Sequence, residues 1–323
     1  GFLLELDQRS SGPALLGLLL GHKDLSNRAV FNTDTQEYLV PFLQRHVKDW
    51  FRLARVSPTG EGRGLFDLLS TDKRFVKGCL MYLIYGQKGF GRWVFLKNLA
   101  VKVDPKYART KYFEMLRKLG FSFERLLDEV LPGLVSKISS LESICKIFAD
   151  SLEDFKIVLP DGTLVFYRCV KYSHPTIRYG SKDPMTGEVI RHRIMFNEPK
   201  CIDKEAFVRS AIPNLVHALD AWILREVLYA LGRKGITFNH VHDAFLLHCG
   251  DVEIFFSVVK DIYGKKFFNV SLENAYFKPN CDQLEKSVTE NVLKEVSSYK
   301  DTVLSRESIS YSNFDPRNCY KFK

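Results

Sequence analysis

Apolar positions recur at every second residue in some stretches and at every third or fourth in others, and this divides the chain into strands and helices. Phe2-Leu3-Leu4-Glu5-Leu6-Asp7 is an apolar run closed by a carboxylate and reads as a strand. Gln8 to Pro13 is a small-residue turn, and Pro13 suits the first turn of a helix reaching about Gly21. Asn32-Thr33-Asp34 is placed to cap one long amphipathic helix through Tyr38, Phe42, Val47 and Phe51 to Ala54. A further helix begins at a cap among Ser70, Thr71 and Asp72 and is stopped by Gly86. From Phe90 to about Asp154 the pattern is mostly helical. Residues 156–200 change to strands. Pro160-Asp161-Gly162 turns a hairpin, and a longer ribbon pairs Thr176–Tyr179 with Glu188–Phe196 across a loop from Gly180 to Gly187. Asp203 to Leu231 is a long helix with a break expected near Pro213. In Thr237–Leu247 an apolar run is interrupted by His242-Asp243, which reads as strand, tight turn, strand. Asp251 to Tyr263 is helical, and the tail from about residue 270 is polar and less regular. The fold class is therefore α+β.

Composition narrows the partners. The chain has 323 residues, 46% of them hydrophobic, enough for one large or two medium domains. No run approaches the ~18 apolar residues of a membrane span. Seven scattered cysteines form no C-x-x-C pair, so neither a zinc site nor a disulfide framework is indicated, and a reducing compartment is the simple inference. The net charge of +9 favours polyanionic partners, nucleic acid first. Lys97, Lys102, Lys106, Arg109, Lys111, Arg117 and Lys118 make the most basic stretch, which suits a phosphate track or a solvated helical face equally. The Gly-rich segment Pro58–Gly64 lacks G-x-x-x-x-G-K-[ST] and is not a P-loop.

Four places carry candidate chemistry. Asp7 ends a strand and Asp243 sits on a hairpin corner. Each serves as a turn residue or as a hard oxygen ligand for a divalent cation. Lys73, Lys77, Met81 and Tyr85 recur every four residues along one winding stripe, two cations followed by a ring, which matches a triphosphate tail and then a base. The ribbon carries Arg178, Lys182, Arg191, His192 and Arg193, and a basic two-stranded ribbon can enter a DNA major groove or stay soluble as a charged edge.

Taken in order, these stretches resemble the single-subunit, phage-type DNA-dependent RNA polymerases. The resemblance covers motif A (Asp7-Gln8-Arg9-Ser10-Ser11-Gly12), motif B (Lys73 to Gly86), the Pro213-Asn214-x-x-His217-x-x-Asp220 signature and motif C (His242-Asp243-Ala244-Phe245), across residues 1 to about 265. It implies a right-hand polymerase: an antiparallel palm sheet with mostly helical fingers, lacking the N-terminal domain and thumb. Its divisions would be palm at 1–56, fingers at 57–155, a β-ribbon region with a specificity loop at 156–203, and palm with a C-terminal tail at 204–323. Asp7 and Asp243 would hold two Mg²⁺ ions with the Gln8 carbonyl assisting. Such a pair of metals lowers the pKa of an RNA 3′-OH and stabilises the leaving pyrophosphate. Lys77 with Lys73 or Arg74 would hold the triphosphate, and Tyr85 would close on base and sugar. Arg178, Arg191 and Arg193 would contact DNA.

The related family-A DNA polymerases place Glu five residues after the first Asp and Glu after the second. This chain has Gly12 and Ala244 there, and His217 matches the family histidine that senses the 2′-OH, so ribonucleotides are expected. The rival expectations are a family-A DNA polymerase fragment and a non-catalytic nucleic-acid-binding subunit. Where the family keeps Arg four residues before the motif B lysine, this chain has Lys73, with Arg74 adjacent. The partners implied are template DNA, nascent RNA, NTPs and a second polypeptide supplying the N-terminal domain and thumb. That polypeptide was expected to meet an exposed sheet edge at Phe2–Leu6. No membrane is implied. The expected location is bacterial host cytoplasm for a phage protein, or the mitochondrial matrix.

Overall fold

The computed structural model describes residues 3–8, 11–31, 38–152, 154–241, 244–266, 269–285, 290–305 and 315–322. The chain opens on strand β1 (Leu3–Gln8) and enters helix α1 (Ser11–Leu19) through Gly12 and Pro13. A short helix α2 (Lys23–Ser26) follows. Its cap is the buried His22, whose Nδ1 accepts from Leu25 N–H at 3.2 Å while Nε2 faces the Pro132 carbonyl at 3.1 Å.

The single helix expected up to Ala54 is two helices, α3 (Leu39–Arg45) and α4 (Val47–Leu53). His46 separates them with ψ of 12°. Its N–H bonds back to Leu43 O at 3.1 Å, a tight i−3 closure. Its ring sits edge-on to Phe42 and its Nδ1 lies 3.2 Å from the Asp49 carboxylate, so the side chain is held at the break. The cap expected at Asn32-Thr33-Asp34 lies outside the described residues.

Helices α5 (Arg63–Thr71), α6 (Lys73–Ile84), α7 (Gly89–Val103), α8 (Thr110–Val130) and α9 (Leu134–Ser151) follow, as the helical periodicity requires. Arg92 of α7 is buried yet fully engaged. Its guanidinium donates to Gly120 O at 3.0 Å, Gln87 O at 2.8 Å and the Glu124 carboxylate at 2.5 Å, tying α7 to α8.

The strand region begins with the hairpin β2 (Phe155–Val158) and β3 (Leu164–Tyr167), turned at Gly162 with φ of +82°. Next comes a ribbon longer than expected. Strands β4 (Val170–Ser173) and β7 (Glu198–Ile202) pair at its base. Strands β5 (Thr176–Lys182) and β6 (Val189–Met195) pair along its arm. The loop is correspondingly shorter than Gly180–Gly187, because Gly180 and Ser181 stay in the ladder and Asp183 closes the turn by accepting from Met185 N–H at 2.8 Å and Thr186 N–H at 3.1 Å.

Helix α10 (Lys204–Arg233) runs through Pro213 without the expected break. It is followed by β8 (Phe238–Val241), β9 (Ala244–His248) and α11 (Val252–Lys265). The tail is more regular than its polarity suggested, giving α12 (Lys278–Leu284), α13 (Glu290–Leu304) and strand β10 (Tyr320–Phe322). Asn280, fully buried, bonds both the N–H and the C=O of Lys156 and so ties α12 to β2. α13 packs on α9.

One antiparallel sheet of order β10-β1-β9-β8 gathers both ends of the chain. The exposed edge expected on the first strand is therefore covered from Leu6 to Gln8 by the chain's own β10, with Leu6 opposite Phe322 and Gln8 opposite Tyr320. Leu6, Phe245, Leu247 and Tyr320 are buried under the sheet, where the Phe255 ring of α11 meets Phe245 and Tyr320. α1 packs against both α6 and α10 and so draws the three helices together beside the sheet.

Candidate active site

The sheet register sets Asp7 against the start of β9. Asp7 of β1 pairs with Ala244 of β9, and Val241 of β8 pairs with the same Ala244. Residue 243 thus directly precedes the residue facing Asp7. The backbones of Asp7 and Gln8 are described but not their side chains, and His242 and Asp243 lie outside the described residues. Aspartate carboxylates are hard oxygen donors, the kind that a divalent cation such as Mg²⁺ takes. Among the described residues, no group of three His, Cys, Asp or Glu side chains is placed to hold one.

β1 leads into α1, and the first turn of α1 delivers Gly12 to the end of α6. A Cβ at Gly12 would stand 3.7 Å from Tyr85 Oη, 3.8 Å from Met81 Cε and 4.0 Å from Ile84 Cγ2. These are ordinary contact distances, so a single methyl would fill the space between Gly12 and the Tyr85 hydroxyl. The Tyr85 ring in turn stacks on His217 of α10, with centroids 5.4 Å apart and planes 13° from parallel. Gly12, Tyr85 and His217, from three distant segments, meet at one place.

The junction of α6 with α10 depends on Gly86. Its φ is +71°, and a Cβ there would lie 2.7 Å from the Arg209 carbonyl oxygen. That oxygen is the one a residue at position 213 would satisfy in a helix, and Pro213 has no N–H to offer. Pro213 therefore leaves α10 continuous while freeing a carbonyl on the side where α6 ends. Met81 and Arg209 are the site residues that the sequence reading passed over. Met81 was visible on the α6 stripe, whereas Arg209 takes part through its backbone and left no signal.

The cations divide. Asp72 caps α6 by accepting from Arg74 N–H at 3.0 Å, and Arg74 Nε donates to the same carboxylate at 2.9 Å. This guanidinium holds the Asp72 carboxyl below its ordinary 3.8. Arg74 is thus engaged as part of the cap, while Lys73 and Lys77 are exposed and make no ion pair among the described residues. Of the two neighbouring cations, Arg74 is engaged by Asp72 and Lys73 is not.

Arg178, Arg191 and Arg193 are not part of this cluster. They lie on β5 and β6, which among the described residues pair with each other alone. Arg178 stands opposite Arg193, and Arg191 opposite Gly180. Directly opposite residues share a face of a ladder, so the three arginines and Lys182 line one side. Ile177, Tyr179, Ile190, His192 and Ile194 line the other, with Tyr179 stacked on His192.

An α+β chain in which a small antiparallel sheet meets a long central helix is compatible with a fragment of a nucleotide polymerase. Residues 182–311 match the family model of DNA-dependent RNA polymerase, so this portion of the chain is similar to that family. The matched span contains His217, Asp220, His242 and Asp243; the motif A and motif B residues precede it. No curated protein matches the chain. No helix of the described residues is long and apolar enough to cross a membrane.

Proposed function

We propose that this chain carries the nucleotide-addition site of a DNA-dependent RNA polymerase, extending RNA 3′ ends from NTPs on a DNA template. The observation that carries the reading is the meeting of Gly12, Tyr85 and His217 beside the strand that bears Asp7. On this reading the four-stranded sheet is the palm and α6 to α9 belong to the fingers. Asp7 and Asp243, with the Gln8 carbonyl, would hold two Mg²⁺ ions. When bound, these ions supply Lewis-acid stabilisation of charge during phosphoryl transfer.

The remaining work is positioning, which is most of what a protein does in phosphoryl transfer. Lys77 and Lys73 neutralise the triphosphate from one side of α6. Tyr85 closes on the base and sugar, and His217 holds the Tyr85 ring in place by stacking. Gly12 itself places no side chain between α1 and the Tyr85 hydroxyl, which on this reading leaves room for the ribose 2′-OH. The arginine face of the ribbon offers a row of cations to template DNA.

The test is primer extension with rNTPs against dNTPs. Asp243→Asn should abolish addition while DNA binding persists, and unchanged synthesis would refute the metal assignment. Gly12→Glu places a side chain between α1 and Tyr85 and should depress rNTP use more than dNTP use. A wild-type preference for dNTPs would overturn the reading of Gly12.

A further inference from the structure

A second cavity, of about 480 Å³, lies away from the candidate active site where the end of α4 meets the middle of α8. Its lining includes Arg55, Lys118, Arg125, Phe121 and Ser122 and no carboxylate. Lys118, Phe121, Ser122 and Arg125 fall at helical spacings of three, four and seven, so α8 presents them as one stripe. The cavity beside Gly86 differs in that Glu142, Asp150 and Glu205 share its lining, with Lys88 paired to Glu142 and Lys204 to Asp150. Arg55, Lys118 and Arg125 are all exposed and make no ion pair among the described residues. Several cations of the basic stretch are engaged elsewhere. Lys106 pairs with Asp104, Lys111 with Glu61, and Lys97 lies over the Trp93 and Phe113 rings, whereas Lys118 is directed to the cavity.

The backbone of Arg55 is an independent mark. After α4, Arg55 N–H bonds Arg52 O at 3.0 Å and Val56 N–H bonds Phe51 O at 3.0 Å, a Schellman closure with Arg55 at the left-handed position. Its φ is +54°, and it is the one non-glycine residue with positive φ among the described residues. Glycine is the residue that this position favours. A strained arginine held where glycine would be easier points to a use for its side chain. Phe121 supplies the last feature. Its ring covers Gly89, where a Cβ would come within 2.6 Å, has the Arg117 guanidinium 5.9 Å from its centroid, and the residue is 50% exposed.

Clustered cations without counterions beside a half-exposed ring are the elements of a single-strand nucleic-acid site, in which phosphates meet the cations and an unstacked base meets the ring. We propose that this cavity binds a short run of single-stranded nucleic acid, phosphates on Arg55, Lys118 and Arg125 and a base on Phe121. The assignment does not depend on the reading of the catalytic site, and its test measures binding, not synthesis.

The probe is a fluorescein-labelled single-stranded oligodeoxynucleotide, titrated over a range of salt with the full chain. Arg178, Arg191 and Arg193 are replaced by Gln throughout, so that the ribbon does not contribute. Adding Arg55→Gln, Lys118→Gln and Arg125→Gln should flatten the slope of log K against log salt by about 2, on the order of 100-fold in affinity at 0.1 M salt. Replacing Lys23, Lys234 and Lys260 by Gln removes the same charge elsewhere and should leave the slope nearly unchanged. Phe121→Ala should weaken binding roughly tenfold without altering the slope. Arg55→Gly should weaken binding while raising the denaturation midpoint, which separates lost contact from lost folding. An equal slope change in the charge-matched control would overturn the proposal. So would an unaltered slope in the cavity variant, or a loss confined to the same sequence as a duplex.

Discussion

Gly86→Ala tests the contact on which the α6–α10 junction rests. Two costs arise at this position. The first is conformational: an alanine held at φ of +71° pays roughly 1–2 kcal/mol that glycine does not. The second is steric: the new Cβ would lie 2.7 Å from the Arg209 carbonyl oxygen. That atom belongs to the backbone of a 30-residue helix and cannot rotate aside as a side chain would. Forcing one methyl into such a packed contact adds about 1–3 kcal/mol. Gly235 provides the reference, because its φ is +70° and nothing lies within 4 Å of where its Cβ would stand. Gly235→Ala should therefore show the conformational cost alone. Urea unfolding followed by circular dichroism would measure both, with the difference between the two variants isolating the Arg209 contact. Gly86→Ala should also lower nucleotide addition, because the ring of the adjacent Tyr85 moves off His217. Equal destabilisation by the two substitutions would refute the argument.

Arg92→Ala leaves the Gln87 and Gly120 carbonyls and the Glu124 carboxylate without their shared donor, and should cost about 3–5 kcal/mol in the same urea assay. Asp72 titrates below its ordinary 3.8 because of Arg74, so its contribution is complete above that pH and is lost as the pH falls through the depressed folded value. Asp72→Asn keeps a capping side chain and should flatten the acid limb of stability below about pH 4, read from urea midpoints between pH 6 and 3. Burial raises the Cys79 thiol above its ordinary range and pushes Cys145 up to about 12, whereas Cys201 and Cys249 are exposed. Brief iodoacetamide treatment of the native chain, followed by peptide mass spectrometry, should label Cys201 and Cys249 and spare Cys79 and Cys145.

The parts of the fold that were legible in the sequence are those fixed by short-range signals. Pro160-Asp161-Gly162 specifies its hairpin because Gly162 supplies the positive φ, and Gly86 stops α6 for the same reason. The break at His46 was hidden because residues 39–53 keep an apolar periodicity on both sides of it, while the interruption is a single i−3 hydrogen bond. The expected break at Pro213 failed for the opposite reason. A proline costs its helix one hydrogen bond, and here the orphaned Arg209 carbonyl lies against a neighbouring helix end. Strand β10 was invisible because its pairing joins residue 320 to residue 8, and no local pattern in a polar tail encodes so distant a partner. The extra length of the ribbon was missed because Gly180 and Ser181 have poor strand propensity, which cross-strand pairing with Arg191 and Ile190 overrides.

For the candidate site, burial on one side of α6 determines what the other side can do. Phe75, Val76, Cys79, Leu80, Leu83 and Ile84 are buried and fix the rotation of the helix about its axis. Lys73, Lys77, Met81 and Tyr85 are then left on the outer side. Each step of four residues advances about 6 Å and turns about 40° beyond a full circle. Lys77 therefore lies about 12 Å along the axis from Tyr85, and Lys73 about 18 Å away with a further 40° of rotation. The two lysines cannot act alike on a nucleotide whose base rests at Tyr85. On the proposed reading Lys77 would fall within the span of the phosphates, and Lys73 would reach at most their far end. A stripe that looks uniform in sequence is thus graded in space, and the reading assigns the larger share of triphosphate binding to Lys77.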